Sequence, residues 1–417
     1  MKDAVVIGGG PSGVACAVTL FEKGFDVGII EINEELGGLL DQCIHDGFGT
    51  KLFNEGLSGP EFASRFIEKL KKSSVEVMLN SFVKSVESSD KIKEITCITP
   101  QGVKIVRTKS IVYAIGCRER NEYEILIGGS RPSGVLTAGA VQRLVNLYGI
   151  LPGKNVIIVG GGDVGMIVAR HLYLEGVNNI FMIYPEEFFT GLPRNVQQCV
   201  LDFDIEFQPQ TIVKKIIGSE HIEAVELVKV DKNWNPINGT EKIVKCDCLI
   251  LSVGLIPYSD KLEEIGAEID TCTNGPVVNE YFETTKEGVF AIGNLIQIFD
   301  YVDDAVETAF IAAEGVERFL KNKTHKKDSY IKLKSGNNVN CVTPQRINKF
   351  TDEITVFFRP GITCKTPKIL LTDKEGKLIK KFTKPFVRPS TLESLKISLK
   401  LIENEQEVSL HVKTKDN

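Results

Sequence analysis

The sequence predicts an α/β fold with two Rossmann-like βαβ units and a small all-β domain toward the C-terminal end. Three observations predict it. A strand, a glycine loop and a helix open the chain and close on Glu31. The same arrangement returns 152 residues on, from Gly8 to Gly160, a distance that suits a duplicated nucleotide-binding unit and is too long for a solenoid repeat. Past residue 328 helical periodicity gives way to short β-prone runs broken by turn residues.

Each element has a local reason. Residues 4–7 are a short apolar strand, followed by Gly8-Gly9-Gly10-Pro11-Ser12-Gly13. Val14, Ala15, Val18, Leu20 and Phe21 then make one face of a helix that stops at Gly24, and residues 26–30 form the next strand. Residues 75–86, 92–99 and 103–112 alternate in polarity and predict a β-meander. In the second unit, residues 155–159 are the strand and Gly160-Gly161-Gly162-Asp163-Val164-Gly165 the loop. A helix runs toward Gly176 and a strand covers 180–184. A second set of β runs follows at 205–217, 222–230 and 241–251. Val306, Ala309, Phe310, Ala313, Val316 and Leu320 mark a helical stripe over 303–320. Residues 322–328, Asn-Lys-Thr-His-Lys-Lys-Asp, are a polar break and a predicted linker. Runs at 353–358, 368–371, 378–382, 395–401 and 407–412 then predict a small β-sandwich.

Composition narrows the function. A chain of 417 residues predicts two to four domains at roughly 100–200 residues each. The net charge of −5 argues against a nucleic-acid or anionic-membrane surface, because neither is attracted to an acidic protein. Ten cysteines without a CxxC pair predict reduced thiols and a cytoplasmic setting. Five histidines, none within four residues of another, and the lone Cys246-x-Cys248 pair predict no metal site. No leader is expected, since the first residues run straight into a strand, and no apolar run approaches the roughly 18 residues of a membrane span.

The glycine loops carry the chemistry. In Gly8-x-Gly10-x-x-Gly13 the first glycine permits a tight turn, the second lets backbone touch a pyrophosphate, and the third allows close helix–strand packing. Pro11 and Ser12 lie in the same turn. Glu31 stands eighteen residues after Gly13, where a carboxylate accepts two hydrogen bonds from an adenosine ribose. Gly160-x-Gly162-x-x-Gly165 repeats the pattern, with Asp163 and Val164 inside it. At its strand end Tyr184 stands where Glu31 would be, followed by Pro185, Glu186 and Glu187, and the nearest arginine is Arg194. Acidic neighbours repel an extra phosphate, so NADH is favoured over NADPH. A vestigial second site stays open as an alternative.

Two such units in this order resemble the flavoproteins with two dinucleotide-binding domains, the pyridine nucleotide-disulfide oxidoreductase superfamily. The resemblance covers about residues 1–320. Val112-Tyr113-Ala114-Ile115-Gly116 is similar to the segment returning past FAD, Leu251-Ser252-Val253-Gly254 to its counterpart leaving the NAD domain, and Gly288-Val289-Phe290-Ala291-Ile292-Gly293-Asn294 to the last FAD motif. The family's usual aspartate is Asn294 here. The resemblance implies FAD in the first domain (1–120 and 257–325), NAD(P)H in an inserted second domain (121–256), and a separate β domain at 335–417. It implies FAD contacts from Gly37, Gly38, Val83, Ala114, Gly116, Gly293, Asn294, Val302 and Asp303, and a nicotinamide contact from Gly254. The start of the last helix would face the flavin pyrimidine, and its dipole would stabilise reduced flavin. Asp303 and Asp304 there read as helix caps.

Leu36-Gly37-Gly38-Leu39-Leu40-Asp41-Gln42-Cys43-Ile44-His45-Asp46-Gly47-Phe48-Gly49 and Ser130-Arg131-Pro132-Ser133-Gly134-Val135-Leu136-Thr137-Ala138-Gly139-Ala140 carry a closer resemblance. They are similar to the oxidoreductase subunits found beside bacterial FAD-dependent glycerol-3-phosphate dehydrogenases and in amine and opine dehydrogenase systems. An oligomer and a partner dehydrogenase subunit are thereby implied. Disulfide reductases of the superfamily carry CxxxxC near this point, and Leu40 and His45 fill those slots. Thioredoxin reductases place CxxC in the NAD domain, where residues 118–198 contain no cysteine. Single-cysteine peroxide and disulfide reductases leave Cys43 as an alternative redox thiol, with His45 able to lower its pKa. Packing beside the flavin edge is the other reading of Cys43. His45 reads equally as a proton relay to the flavin or as a loop histidine bonded to backbone. His411 in the tail lacks a His-Pro context, so the tail is expected to make assembly contacts and no catalysis.

Overall fold

The structure, a computed structural model, describes residues 1–88, 92–322 and 330–414. It divides into two compact units. One comprises Met1–Asp41, Asp46–Cys117 and Pro257–Asn417, the other Gln42–His45 and Arg118–Ile256.

In the first unit, strand Lys2–Ile7 pairs in parallel with Val27–Ile30 on one side and with the end of Gly102–Tyr113 on the other. Glu76–Met78 and Val289–Ala291 extend the parallel sheet. Ala4, Val5 and Val6 are fully buried, as in a parallel sheet covered on both faces. Between the first two strands lies helix α1 (Pro11–Glu22). Helix α2 (Gly59–Lys71) starts on a capping box in which Ser58 and Glu61 satisfy each other's backbone N–H. The start of Gly102–Tyr113 pairs antiparallel with Lys93–Thr99, which pairs with Phe82–Ser88.

The meander expected over 75–86 therefore splits. Asn80 takes a left-handed φ of 50°, which ends Glu76–Met78 as a third parallel strand and starts the meander only at Phe82.

In the second unit, five parallel strands run in the order Glu206–Gln208, Asn179–Ile183, Asn155–Val159, Cys248–Leu251, Val135–Thr137. Helices α3 (Ala138–Tyr148) and α4 (Asp163–Leu174) pack on this sheet, and α5 (Pro193–Cys199) packs on α4. Gln210, also left-handed at φ 50°, divides the run expected over 205–217. Its first part joins the parallel sheet and Thr211–Gly218 begins an antiparallel ribbon with Ile222–Lys229 and Lys242–Lys245.

After a single-turn helix α6 (Asp260–Glu264), the long helix α7 (Val302–Leu320) packs against α1. Of the predicted linker, residues 323–328 lie outside the described residues. The tail forms a five-stranded sheet and a three-stranded sheet whose inward residues, among them Leu333, Val356, Phe358, Leu371 and Val408, make one core. Its first strand, Ile331–Ser335, begins ahead of the expected start at 335. His411 is tied inside this tail: its Nδ1 accepts the Asn337 N–H at 2.9 Å and its Nε2 bonds the Thr372 hydroxyl at 3.1 Å.

Candidate functional site

The first glycine loop is shaped by what a side chain would strike. Gly8 sits at φ 108°, and a Cβ there would collide with the Ala114 carbonyl oxygen. A Cβ on Gly13 would collide with the Gly8 carbonyl oxygen. A Cβ on Gly10 would meet nothing within 4 Å. That open side is where a diphosphate needs to approach backbone. Helix α1 begins at N-cap Gly10 with no side-chain cap and with Pro11 in its first turn, so its positive end stays unscreened by a side chain.

Glu31 is only 5% exposed. Its Oε2 accepts the Gly9 N–H at 2.5 Å and its Oε1 accepts the Asn33 N–H and side-chain amide, both at 2.8 Å. Each carboxylate oxygen offers two lone pairs, so these three bonds orient the group and leave one acceptor position, on Oε2, for a ribose hydroxyl. Gly37 and Gly38 are both left-handed. The Gly37 N–H donates to the Gly9 carbonyl at 3.0 Å, and the Gly38 face lies against Gly10.

The last motif closes on the same loop. Ser12 Oγ donates to the Ala305 carbonyl at 3.0 Å, and the Gly293 N–H donates to Thr308 Oγ1 at 2.9 Å. Asn294 Oδ1 accepts the Phe299 N–H at 3.0 Å, which holds the turn leading to α7. Ala114 donates its N–H to the Ile7 carbonyl, and Gly116 is left-handed with open space at its Cβ position. Val83 and Val302 pack against the core of this unit.

The capping role expected of Asp303 and Asp304 is corrected. The N-cap is Tyr301, without a side-chain cap bond. Asp303, 2% exposed, instead accepts the N–H groups of Gly49, Lys51 and Leu52 at 2.9–3.1 Å. Asp304 pairs with Lys51 at 2.6 Å. Both carboxylates are thus drawn sideways to the 49–52 loop, and the helix end is left without a side chain across it.

The second loop has the same logic. Gly160 sits at φ 118° and a Cβ there would collide with the Ser252 carbonyl. Gly165 faces the Gly160 carbonyl, and Gly254 is left-handed with open space. N-cap Gly162 leaves α4 without a side-chain cap, and Val164 in its first turn is exposed. Asp163 Oδ1 accepts the Leu192 N–H and the Asn195 side-chain amide, both at 2.7 Å. The Gly161 carbonyl accepts the Thr190 N–H at 2.9 Å. Asp163 is therefore an anchor for the 190–195 segment.

Tyr184 does not stand at an open strand end. Its ring is 1% exposed, lies against Gly161 and meets the Phe189 ring at a tilt, with centroids 4.6 Å apart. Burial, with Glu186 nearby, pushes its phenol up to about 12. Tyr184 lines the back of the loop, and Glu186, two residues on, is half-buried. Burial pushes the Glu186 carboxyl up. Glu186 is the first acidic residue after the strand.

Cys43 and His45 gather with the second unit, in the Gln42–His45 segment. Gln42 Nε2 donates to the Gly139 carbonyl at 3.0 Å, and Asn146 Nδ2 donates to the Gln42 carbonyl at 2.7 Å. The His45 ring lies 6.3 Å from that of His171. Burial first, then the neighbouring His45 and Arg170, pushes His171 down to about 4. No group of three or more metal-ligating side chains occurs among the described residues, and none of their helices is long and apolar enough to cross a membrane.

Residues 2–309 match the family described as pyridine nucleotide-disulphide oxidoreductase. The chain belongs to the pyridine nucleotide-disulphide oxidoreductase family. Members of this family are FAD- and NAD(P)H-dependent oxidoreductases. One of the opine oxidase subunits of Agrobacterium tumefaciens (strain Ach5) is 24% identical over 319 residues, which is 70% of this chain and 61% of that protein. The chain thus spans about three fifths of that relative's length. The glutamate synthase [NADPH] small chain of Escherichia coli (strain K12) is 23% identical over 349 residues, 77% of this chain and 69% of that one. Among solved structures, thioredoxin reductase of T. acidophilum superposes with a TM-score of 0.63 at 21% identity, over 78% of this chain and 99% of that one. Bacillithiol disulfide reductase of Bacillus cereus gives 0.62 at 19%, over 76% and 98%. These two are likenesses of fold.

Both cradles fit the dinucleotides of the pyridine nucleotide-disulphide oxidoreductases. In each, glycines face backbone that a Cβ would strike, and a helix end carries no side-chain cap. A buried, oriented carboxylate follows the first strand pair.

Proposed function

We propose that this protein exchanges hydride between a nicotinamide, with NADH favoured, and FAD, and passes electrons to or from a partner dehydrogenase subunit in the cytoplasm. Bound FAD and nicotinamide would supply the redox chemistry. Gly8, Gly10 and Gly13 bring backbone to the FAD diphosphate, while Glu31 takes the adenosine ribose. Gly37, Gly38, Ala114, Gly116, Gly293 and Asn294 line the rest of that site. Gly160, Gly162, Gly165 and Gly254 receive the nicotinamide dinucleotide, and Glu186 takes its ribose.

The observation that carries this reading is the buried Glu31 carboxylate, oriented by Gly9 and Asn33 beside a glycine loop whose outer side is open. Leu40 and His45 stand where the family's disulfide reductases carry a dithiol. That supports electron transfer without a dithiol relay. The partner is inferred from what the relatives are called: one is a component of opine oxidase, the other the small chain of glutamate synthase. A partner resembling glycerol-3-phosphate dehydrogenase is the specific form we favour.

Anaerobic addition of NADH to purified protein tests the proposal. Loss of the oxidised flavin absorbance is expected, with NADPH slower. Failure of both nucleotides to bleach bound flavin sinks it. Copurification with neighbouring gene products identifies the dehydrogenase.

A further inference from the structure

The tail is more than an appendage to the flavin lobe. Strand Glu353–Pro360 serves two cores by its period of two. Ile354, Val356 and Phe358 point into the tail's own core, whereas Phe357 belongs to the core of the nucleotide-binding sheet, as does Leu392. Phe357 meets Phe299 edge to face at 5.2 Å. Arg359, on the same face as Phe357, donates from Nη2 to the Ile298 carbonyl at 2.9 Å and reaches both Asp300 carboxylate oxygens at 3.3 and 3.4 Å. Its Nη1 donates to the Pro389 carbonyl at 3.1 Å. The Leu392 N–H donates to Asp300 Oδ2 at 2.6 Å, and Thr343 Oγ1 donates to Gln297 Oε1 at 3.2 Å.

All these bonds but the one to Pro389 land on one stretch, 297–300, between Asn294 and the first turn of α7. Tyr301, the N-cap, follows Asp300 directly. The Arg359 and Asp300 side chains are 21% and 25% exposed, so the pair is well shielded and geometrically fixed.

We propose that the C-terminal β domain is a positioning part of the flavin site, in which Arg359 holds the Asp300 carboxylate and the Ile298 carbonyl and thereby sets the start of α7. This rests on FAD occupying the first cradle. Arg359 is a positioning residue and touches no cofactor in this scheme. Its charge also offsets that of Asp300, which sits next to the helix end that stabilises reduced flavin.

The test is Arg359→Met, which keeps the aliphatic stem, with Arg359→Lys as the rescue. In the flavin-loaded protein, R359M is expected to lower the affinity for reduced relative to oxidised flavin threefold to tenfold. That is about 14–30 mV in midpoint potential for a two-electron couple, and R359K should recover most of it. A second readout needs no flavin: amide hydrogen exchange across 293–305 should quicken at least tenfold in R359M and stay slow in R359K. Should R359M fail to fold, R359Q is read in the same way. Unchanged exchange across 293–305 overturns the proposal, as does an unchanged potential in loaded protein. A wild-type protein that takes no flavin yet shows the exchange effect overturns the flavin reading and leaves the clamp standing.

Discussion

The Ser12 hydroxyl donates to the Ala305 carbonyl at 3.0 Å, joining the first turns of α1 and α7 although the two residues lie 293 positions apart. Thr308 Oγ1 donates to the same carbonyl at 2.6 Å. Removing the serine hydroxyl therefore loosens the junction without leaving the carbonyl bare. Ser12→Ala should cost about 1 kcal/mol. The expected result is a roughly fivefold higher Kd for FAD, measured by quenching of flavin fluorescence during reconstitution.

Gly160→Ala should separate the two nucleotide sites. Its φ of 118° and the Ser252 carbonyl in the Cβ position make strain on the order of 3 kcal/mol. Stopped-flow reduction by NADH should slow by about 100-fold at fixed nucleotide concentration, since 1.4 kcal/mol is about a factor of ten. Flavin content should stay at the wild-type level, because the substitution lies in the other unit. Gly13→Ala should do the reverse and abolish flavin retention, because its Cβ would strike the Gly8 carbonyl.

Glu186 tests nicotinamide preference. A carboxylate that accepts ribose hydroxyls is worth about 1–1.5 kcal/mol against its amide. Glu186→Gln should raise KM for NADH about five- to tenfold and change KM for NADPH much less. Equal shifts for both nucleotides would place the ribose elsewhere.

His171 predicts an acid-sensitive second unit. Its folded pKa, down at about 4, lies below the ordinary value of about 6.5. Between these limits the unfolded chain binds the proton and the folded one does not, so stability falls as pH drops from about 6.5 toward 4. Discounted for partial solvent access, the loss is ~1–2 kcal/mol. Urea unfolding at pH 7 and pH 5 should show it, and His171→Gln should flatten the difference.

Cys43 separates electron transfer from thiol chemistry. Cys43→Ser should keep more than half of the NADH–acceptor activity. Total loss, with flavin still bound, would transfer the protein to the single-cysteine peroxide or disulfide reductases.

The glycine loops are legible in the sequence because their constraint is local: Gly8, Gly13 and Gly160 each sit where a Cβ meets backbone nearby in the fold, and the residue type itself reports that. Glu31 is legible because a strand end lies at a fixed distance from the loop. Asp303 is not. Its position in a first helical turn is the same for a cap and for an acceptor of distant N–H groups, and only tertiary placement of the 49–52 loop decides between them. The left-handed Asn80 and Gln210 hide in β-prone runs for a related reason, since asparagine and glutamine do not announce a break as glycine does. The burial of Tyr184 is not legible, because alignment by position does not report that its ring lies against Gly161.

One feature of connectivity governs biogenesis. The flavin lobe is assembled from three separated stretches, the last beginning at Pro257, and Val289–Ala291 and α7 are needed to finish its sheet and close its cradle. The other lobe is almost entirely one uninterrupted stretch, Arg118–Ile256. Emerging from the ribosome, the inserted lobe can mature while its host is still waiting for its third stretch. With FAD in the first cradle, as proposed, its capture would be a late event in the life of the nascent chain, and truncation before Leu320 should yield protein that retains no flavin.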